Sequence, residues 1–146
     1  MKNEKIIIYT DGSCIGNPGP GGWGAIIRHG ETELDISGGE KDTTNNRMEM
    51  MAIIEALKWV KTKSGLKKEE LSEVGIEVFS DSNLLVQSLN LGWKRKANLD
   101  LWGEMDEARG WLNIKWTWVK AHSTNKYNNL VDEIAFAAAT KAQRGK

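Results

Sequence analysis

The sequence predicts an α/β fold: a five-stranded mixed sheet, three antiparallel strands first and two further strands parallel to the first, with helices on both faces. Three observations carry this. The run Ile6-Ile7-Ile8-Tyr9-Thr10 is β-favouring throughout, which marks a strand buried on both faces and therefore central. The hydrophobic period then reads three strands, helix, strand, helices, strand, helix, an order in which strands after the first helix return parallel to the first. Finally, two of the strands run into an acid, Asp11 and Asp81, at the C-terminal edge where open α/β sheets form their sites.

A chain of 146 residues fits one domain, residues 1–146, large enough to bury roughly 68–70% of its unfolded surface. The formal net charge is zero, so any attraction to phosphate rests on local charge and metals rather than on the whole molecule. One cysteine and two histidines exclude a disulfide framework and a Cys/His zinc site. The opening Met-Lys-Asn-Glu-Lys leads into only three isoleucines. That is neither a signal peptide nor a spanning helix, and a cytoplasmic protein without a membrane partner is expected.

After Ser13 a stretch rich in glycine, with both prolines of the chain, reads as a turn-forming loop. Within it, Gly19 to Gly24 matches the G-x-G-x-x-G dinucleotide pattern, which needs a helix N-terminus behind it to hold a pyrophosphate. Ala25–Gly30 and the segment from Thr32 instead read as a hairpin, and the dinucleotide reading fails. Thr43-Thr44-Asn45-Asn46 supplies N-cap chemistry for a helix from Arg47 to about Thr62. Its polar side chains Glu55, Lys58 and Thr62 share one face, and Glu49 projects roughly 150° away from them at 100° per residue. Glu49 thus lies on the apolar stripe of Ile53, Ala56 and Val60.

Lys61 to Val74 reads as a charged surface connection with a short helical turn. Ile76–Ser80 is a strand ending at Asp81, Asn83 to about Leu91 a helix, and Gly92-Trp93-Lys94-Arg95-Lys96 the compact basic run of the chain. A helix from about Asn98 to Gly110 and a strand Ile114–Val119 follow. The polar loop holding His122 comes next, then a final helix from about Asn128 to Ala142 with Asp132 in its first turns.

Each acid has an ordinary reading by itself: a turn for Asp11-Gly12, an N-cap for Asp81, a favourable helix dipole for Glu49 and Asp132. Together they say more. If the two acid-ended strands are neighbours, their carboxylates meet and Glu49 leans over them. Such a group cannot stay ionised without a counter-charge. Oxygen donors alone select a hard cation, Mg²⁺ or Mn²⁺, and suit a two-metal displacement at phosphorus. Asp11 would be the ligand shared between the ions, with Gly12 leaving room for a substrate backbone. His122 is suited to shuttle a proton.

Tyr9-Thr10-Asp11-Gly12-Ser13-Cys14, Gly16-Asn17-Pro18-Gly19, Thr44-Asn45-Asn46-Arg47-Met48-Glu49, Ser80-Asp81-Ser82, Trp118-Val119-Lys120-Ala121-His122 and Asp132-Glu133-Ile134-Ala135 closely resemble the motifs of the type 1 ribonuclease H family, in order and over nearly the whole chain. The resemblance implies a ribonuclease H-like fold and an endonuclease cutting the RNA strand of RNA–DNA hybrids to 5′-phosphate and 3′-hydroxyl ends. It implies Asp11, Glu49, Asp81 and Asp132 as metal ligands and His122 as proton shuttle. It further implies Gly12, Ser13, Cys14, Asn17, Asn45, Asn46 and Asn83 as contacts to the hybrid, the 2′-hydroxyl being the group that separates RNA from DNA. Thr44 and Asn98 match a pocket gripping a DNA phosphate.

Asn83 stands where the family more often has Gln, and Ala121 where Gly is common. The basic helix and loop that many family members carry are reduced to the Lys94-Arg95-Lys96 run, and no added hybrid-binding domain is expected ahead of the catalytic one. Weak, strongly salt-sensitive hybrid binding through that run is expected, by a monomer with no evident protein partner. Two other readings use the same residues: a strand-transfer or other nuclease on this fold, against which Asn45-Asn46 argues, and a non-catalytic nucleic-acid module, which has no use for acids facing phosphate.

Overall fold

The computed structural model describes residues 4–92, 94–120 and 125–145. Three strands come first: β1 (Ile6–Cys14), β2 (Gly19–His29) and β3 (Thr32–Thr43). Helices α1 (Asn45–Lys63) and α2 (Lys68–Glu73), strand β4 (Ile76–Ser80), helices α3 (Asn83–Leu91) and α4 (Leu99–Arg109), strand β5 (Ile114–Trp118) and helix α5 (Lys126–Arg144) complete the order. The sheet runs β3-β2-β1-β4-β5. Strands β1, β2 and β3 pair antiparallel, while β4 and β5 lie parallel to β1. The expected strand count, directions and central position of the Ile6 run are all observed.

The two faces of the sheet are built differently. On one, α1, α3 and α4 cover a continuous core in which Ile8, Ile54, Ala56, Leu57, Val78 and Met105 are sealed from solvent. Emptying one such position, for example Ile54→Ala, costs roughly 2–5 kcal/mol. On the other face a small cluster of Tyr9, Ile26 and Val131, flanked by Phe79, Tyr127 and Ile134, sits under α5 alone.

One sequence expectation changes here. The glycine-rich segment is a turn only as far as Pro18, and residues from Gly19 onward are strand β2. Gly22 and Gly24 are glycines because α5 lies directly on the strand, while Gly21 faces Thr43 and Met48. A Cβ on Gly22 would overlap the Ala139 nitrogen, and one on Gly24 would fall 2.7 Å from Ile134 Cγ2. Strand β1 also continues through Asp11-Gly12 to Cys14, paired with β2 (Asp11 with Gly24, Gly12 with Trp23), so that dipeptide is not a hairpin turn. The charged connection holds α2, six residues long. Among the described residues no helix is long and apolar enough to cross a membrane.

Candidate active site

The parallel register of β1 and β4 ends at the pair Thr10 and Ser80. The next residue on each strand is an acid, so Asp11 and Asp81 emerge side by side where β4 stops. Helix α1 starts across this edge. Thr44 caps it, its Oγ1 accepting from the Arg47 nitrogen at 3.2 Å, and Glu49 in the second turn is 5% exposed. The stripe inferred for Glu49 is real, since Ile53, Ala56 and Val60 are all buried with it. Carboxylate oxygens of Asp11, Glu49 and Asp81 lie within 4.8 Å of one another. Asp132, on α5, stands outside that triangle, in hydrogen-bonding contact with Asp11 and lining the same cavity of about 360 Å³.

The electrostatics of this group are unfavourable when it stands alone. Burial, then the charge of Asp81 and the contact with Asp132, push the Asp11 carboxyl up to about 8, although Glu49 and the Gly12 N–H pull the other way. Burial first, then Asp11 and Asp81, raise Glu49 well above the ordinary range. Burial also raises Asp81, with the charge of Asp132 adding to it, against hydrogen bonds from Asp11 and Glu49 that lower it. Asp11 Oδ1 accepts from the Gly12 nitrogen at 2.9 Å. Asp11 Oδ2 and Glu49 Oε1 are buried with no donor among the described residues. Unpaired oxygens on clustered acids are what a hard cation satisfies, and the donor set fits one.

The other residues singled out from the sequence divide into three groups. Ser13, Asn45, Asn46 and Gly12 line the carboxylate cavity. Gly12, however, has another reason to be glycine: a Cβ there would collide with the backbone of Met48 and Glu49. The space it leaves is filled by α1, which is how Glu49 comes so close to Asp11. Asn17 and Cys14 tie the β1–β2 turn to the start of α1. Asn17 Oδ1 accepts from the Asn45 nitrogen at 3.0 Å, and Cys14 Sγ donates to the carbonyls of Thr43 (3.4 Å) and Gly19 (3.5 Å). Asn83 is the first residue of α3, its Oδ1 accepting from Gln87 Nε2 at 3.4 Å.

Lys94, Arg95, Lys96 and Asn98 line a second groove, about 230 Å³, that meets the first at Asn46 and Ser82. Arg95 is committed within the fold. It pairs with Asp106 at 2.6 Å and lies 4.2 Å above the Trp102 ring. Asn98 adopts the left-handed conformation (φ 57°), and its Oδ1 accepts from Arg47, which also forks onto Asp100 at 3.0 and 2.7 Å. Arg47 holds the exposed Asp100 carboxyl down at about 2. His122, Ala121 and Trp93 lie outside the described residues.

Asn128 and Asn129 also line the carboxylate cavity, Asn128 at 3% exposure, and neither was singled out from the sequence. A signal was present: Asn128 precedes Asp132 by four residues and so shares its helix face.

The RNase H family model matches residues 3–140 of this chain. The chain belongs to the ribonuclease H family. It is 43% identical to the ribonuclease H of Ehrlichia canis (strain Jake) over 97% of this chain and 100% of that protein. With the ribonuclease H of Acetivibrio thermocellus the identity is 44%, over 90% of this chain and 92% of the relative. The fold is similar to that of LC11-RNase H1, solved in complex with an RNA/DNA hybrid. The TM-score is 0.78 at 29% identity, covering 94% of this chain and 99% of that one. The ribonuclease H fold therefore accounts for the mixed sheet, and the family is metal-dependent, as the clustered carboxylates require.

Proposed function

We propose that this chain is a single-domain, monomeric, cytoplasmic endonuclease that hydrolyses the RNA strand of RNA–DNA hybrids, leaving 5′-phosphate and 3′-hydroxyl ends. The observation that carries the reading is the convergence of Asp11, Glu49 and Asp81 with two buried, unpaired oxygens, in a chain of the ribonuclease H family.

Asp11, Glu49, Asp81 and Asp132 would hold two Mg²⁺ ions, with Mn²⁺ as a substitute and Asp11 shared between them. Bound there, the cations supply Lewis acidity: they lower the pKa of the attacking water and neutralise charge building on the phosphate and the departing 3′-oxygen. The chain's own part is placement. The close packing of Gly12 against α1 and the Thr10–Ser80 register fix three carboxylates before substrate arrives, so little reorganisation accompanies the reaction.

Asn45 and Asn46, at the start of α1, present amides at the mouth of the cavity, suited to the 2′-hydroxyls and base edges of a wide, shallow minor groove. Ser13, Cys14, Asn17 and Asn83 flank them as further contacts. Thr44 and Asn98 would take a DNA phosphate, with Lys94, Arg95 and Lys96 along the same groove. His122 would carry a proton.

The test uses labelled RNA–DNA hybrid, duplex RNA and duplex DNA, each with Mg²⁺, Mn²⁺ or chelator. Cleavage of the hybrid alone, in its RNA strand and only with metal, is expected. Asp81→Asn should fold and fail to cleave; full activity in that variant would overturn the carboxylate assignment.

A further inference from the structure

Helix α5 brings Asp132 to the site, and its two halves rest on different supports. From its middle onward it lies directly on the β2 backbone, Ile134 against Gly24 and Ala135 and Ala139 against Gly22. Its N-terminal half stands on rings. Tyr127 stacks on Tyr9 at 5.2 Å and 25°, and Tyr9 stacks on Phe79 at 4.8 Å and 13°. Each ring belongs to an element that carries an acid of the site: Tyr9 is two residues before Asp11, Phe79 two before Asp81, and Tyr127 five before Asp132. Tyr9 and Phe79 are also register partners across β1 and β4.

The outer ring is itself fixed. Arg28 lies 4.4 Å over Tyr127, the Tyr127 hydroxyl donates to Glu33 Oε1 at 3.1 Å, and Arg28 pairs with the same carboxylate at 3.3 Å. One end of α5 is thus sunk to glycine depth and the other raised by the thickness of an aromatic ring. Asp132 lies on the stretch of helix between these two supports, Tyr127 before it and Ile134 and Ala135 after it.

We propose that the Tyr9–Phe79–Tyr127 stack is a positioning device for Asp132, with Tyr127 its determining residue. It governs the metal site that Asp132 completes and leaves the Asp11–Glu49–Asp81 site untouched. This rests on the two-metal reading above. Glu49 and Asp81 are placed by α1 and by the β1–β4 register, neither of which involves Tyr127. Only the α5 ligand depends on the outer ring.

The test compares Tyr127→Leu, which fills the space without a ring, with Tyr127→Phe, which keeps the ring and loses the Glu33 bond. Mg²⁺ binding to the free protein is measured by calorimetry, and cleavage of labelled hybrid is followed across a Mg²⁺ titration. In Tyr127→Leu the Mg²⁺ midpoint for cleavage should rise about tenfold, the low end for loss of a group that orients a metal ligand. Its maximal rate should recover to within about threefold at saturating Mg²⁺, and its calorimetric affinity for the ion held by Asp11, Glu49 and Asp81 should stay within about twofold of the parent. Tyr127→Phe should restore the midpoint.

A midpoint that does not move, an affinity at the Asp11–Glu49–Asp81 site that falls in parallel with it, or a rate lost at every Mg²⁺ concentration would overturn the positioning role. Failure of the parent protein to bind Mg²⁺ or cleave hybrid would instead overturn the two-metal reading.

Discussion

The carboxylate cavity and the groove beside it share Asn46 and Ser82 as a common wall, yet they treat charge in opposite ways. At the groove the guanidinium groups have partners: Arg95, which lines it, has Asp106 and the Trp102 ring, and Arg47, behind the lining residue Asn98, has Asp100 and Asn98. Met50, Leu85 and Trp102 give it an apolar floor. In the cavity acids face acids, and two of their oxygens have no donor among the described residues. A fold that satisfies charges within one side chain's reach of its site, and leaves the site itself unsatisfied, is holding those acids together against their own repulsion. The unfavourable part is what a bound cation would remove.

The hardest test of that contrast is to remove the repulsion. Asp11→Asn takes away the acid that both metal ions would share, and hybrid cleavage should fall by at least about 10²–10³-fold, the scale for loss of one preorganised electrostatic group. The same change should stabilise the metal-free protein by roughly 1–3 kcal/mol, a discounted share of the 1.36 kcal/mol that each unit of pKa elevation represents. Thermal melting with chelator present reads the second effect. An Asp11→Asn protein less stable than its parent would show that the cluster is not strained.

The pH dependence sharpens the point. The Asp11 carboxyl is raised from 3.8 to about 8 in the folded protein, and Glu49 is raised with it. A carboxyl raised on folding contributes stability that is complete below its unfolded pKa and is lost as pH rises through the folded one. The metal-free protein should therefore lose stability between about pH 4 and pH 8. Mg²⁺ binds the ionised form, so its midpoint should fall as pH rises and level off above about 8. Melting curves at several pH values, with chelator and with saturating Mg²⁺, should diverge toward high pH. Parallel curves would mean the acids titrate as ordinary surface groups.

Much of the cavity was legible in the sequence, because it rests on local rules. An acid following each of two adjacent parallel strands, and an acid on the apolar stripe of a helix, are patterns of period and position. They bring Asp11, Asp81 and Glu49 together once the two strands are taken as neighbours, as the βαβ order suggests. What was not legible depends on partners far along the chain. Gly19 to Gly24 looks like a loop because Gly22 and Gly24 answer to α5, more than a hundred residues later. Gly12 suggests space for substrate until α1 is seen to fill it. Arg95 looks like a free phosphate contact because nothing in Lys94-Arg95-Lys96 points to Asp106 on the following helix. Asn128 was readable by its helical spacing from Asp132, but an asparagine near a helix start has an ordinary capping reading that hides it.

The pairing of Arg95 with Asp106 leads to the smallest expected effect, and it separates the residues of one short basic run. Lys94 and Lys96 are exposed on the groove rim. Each phosphate neutralised releases counterions and adds about 0.9 to the slope of log affinity against log salt. Reversing both charges, Lys94→Glu with Lys96→Glu, should weaken hybrid binding and reduce that slope by about 2. Arg95→Gln should change the slope much less, because its charge is already offset by Asp106. Its cost should appear in stability instead, at roughly 0.5–1 kcal/mol for a partly exposed ion pair with a ring contact. Binding titrations over a salt series, together with melting curves, resolve the two effects. Equal loss of slope in Arg95→Gln would mean that the Asp106 pair opens when the hybrid binds, and the groove would then resemble the cavity more than the free structure suggests.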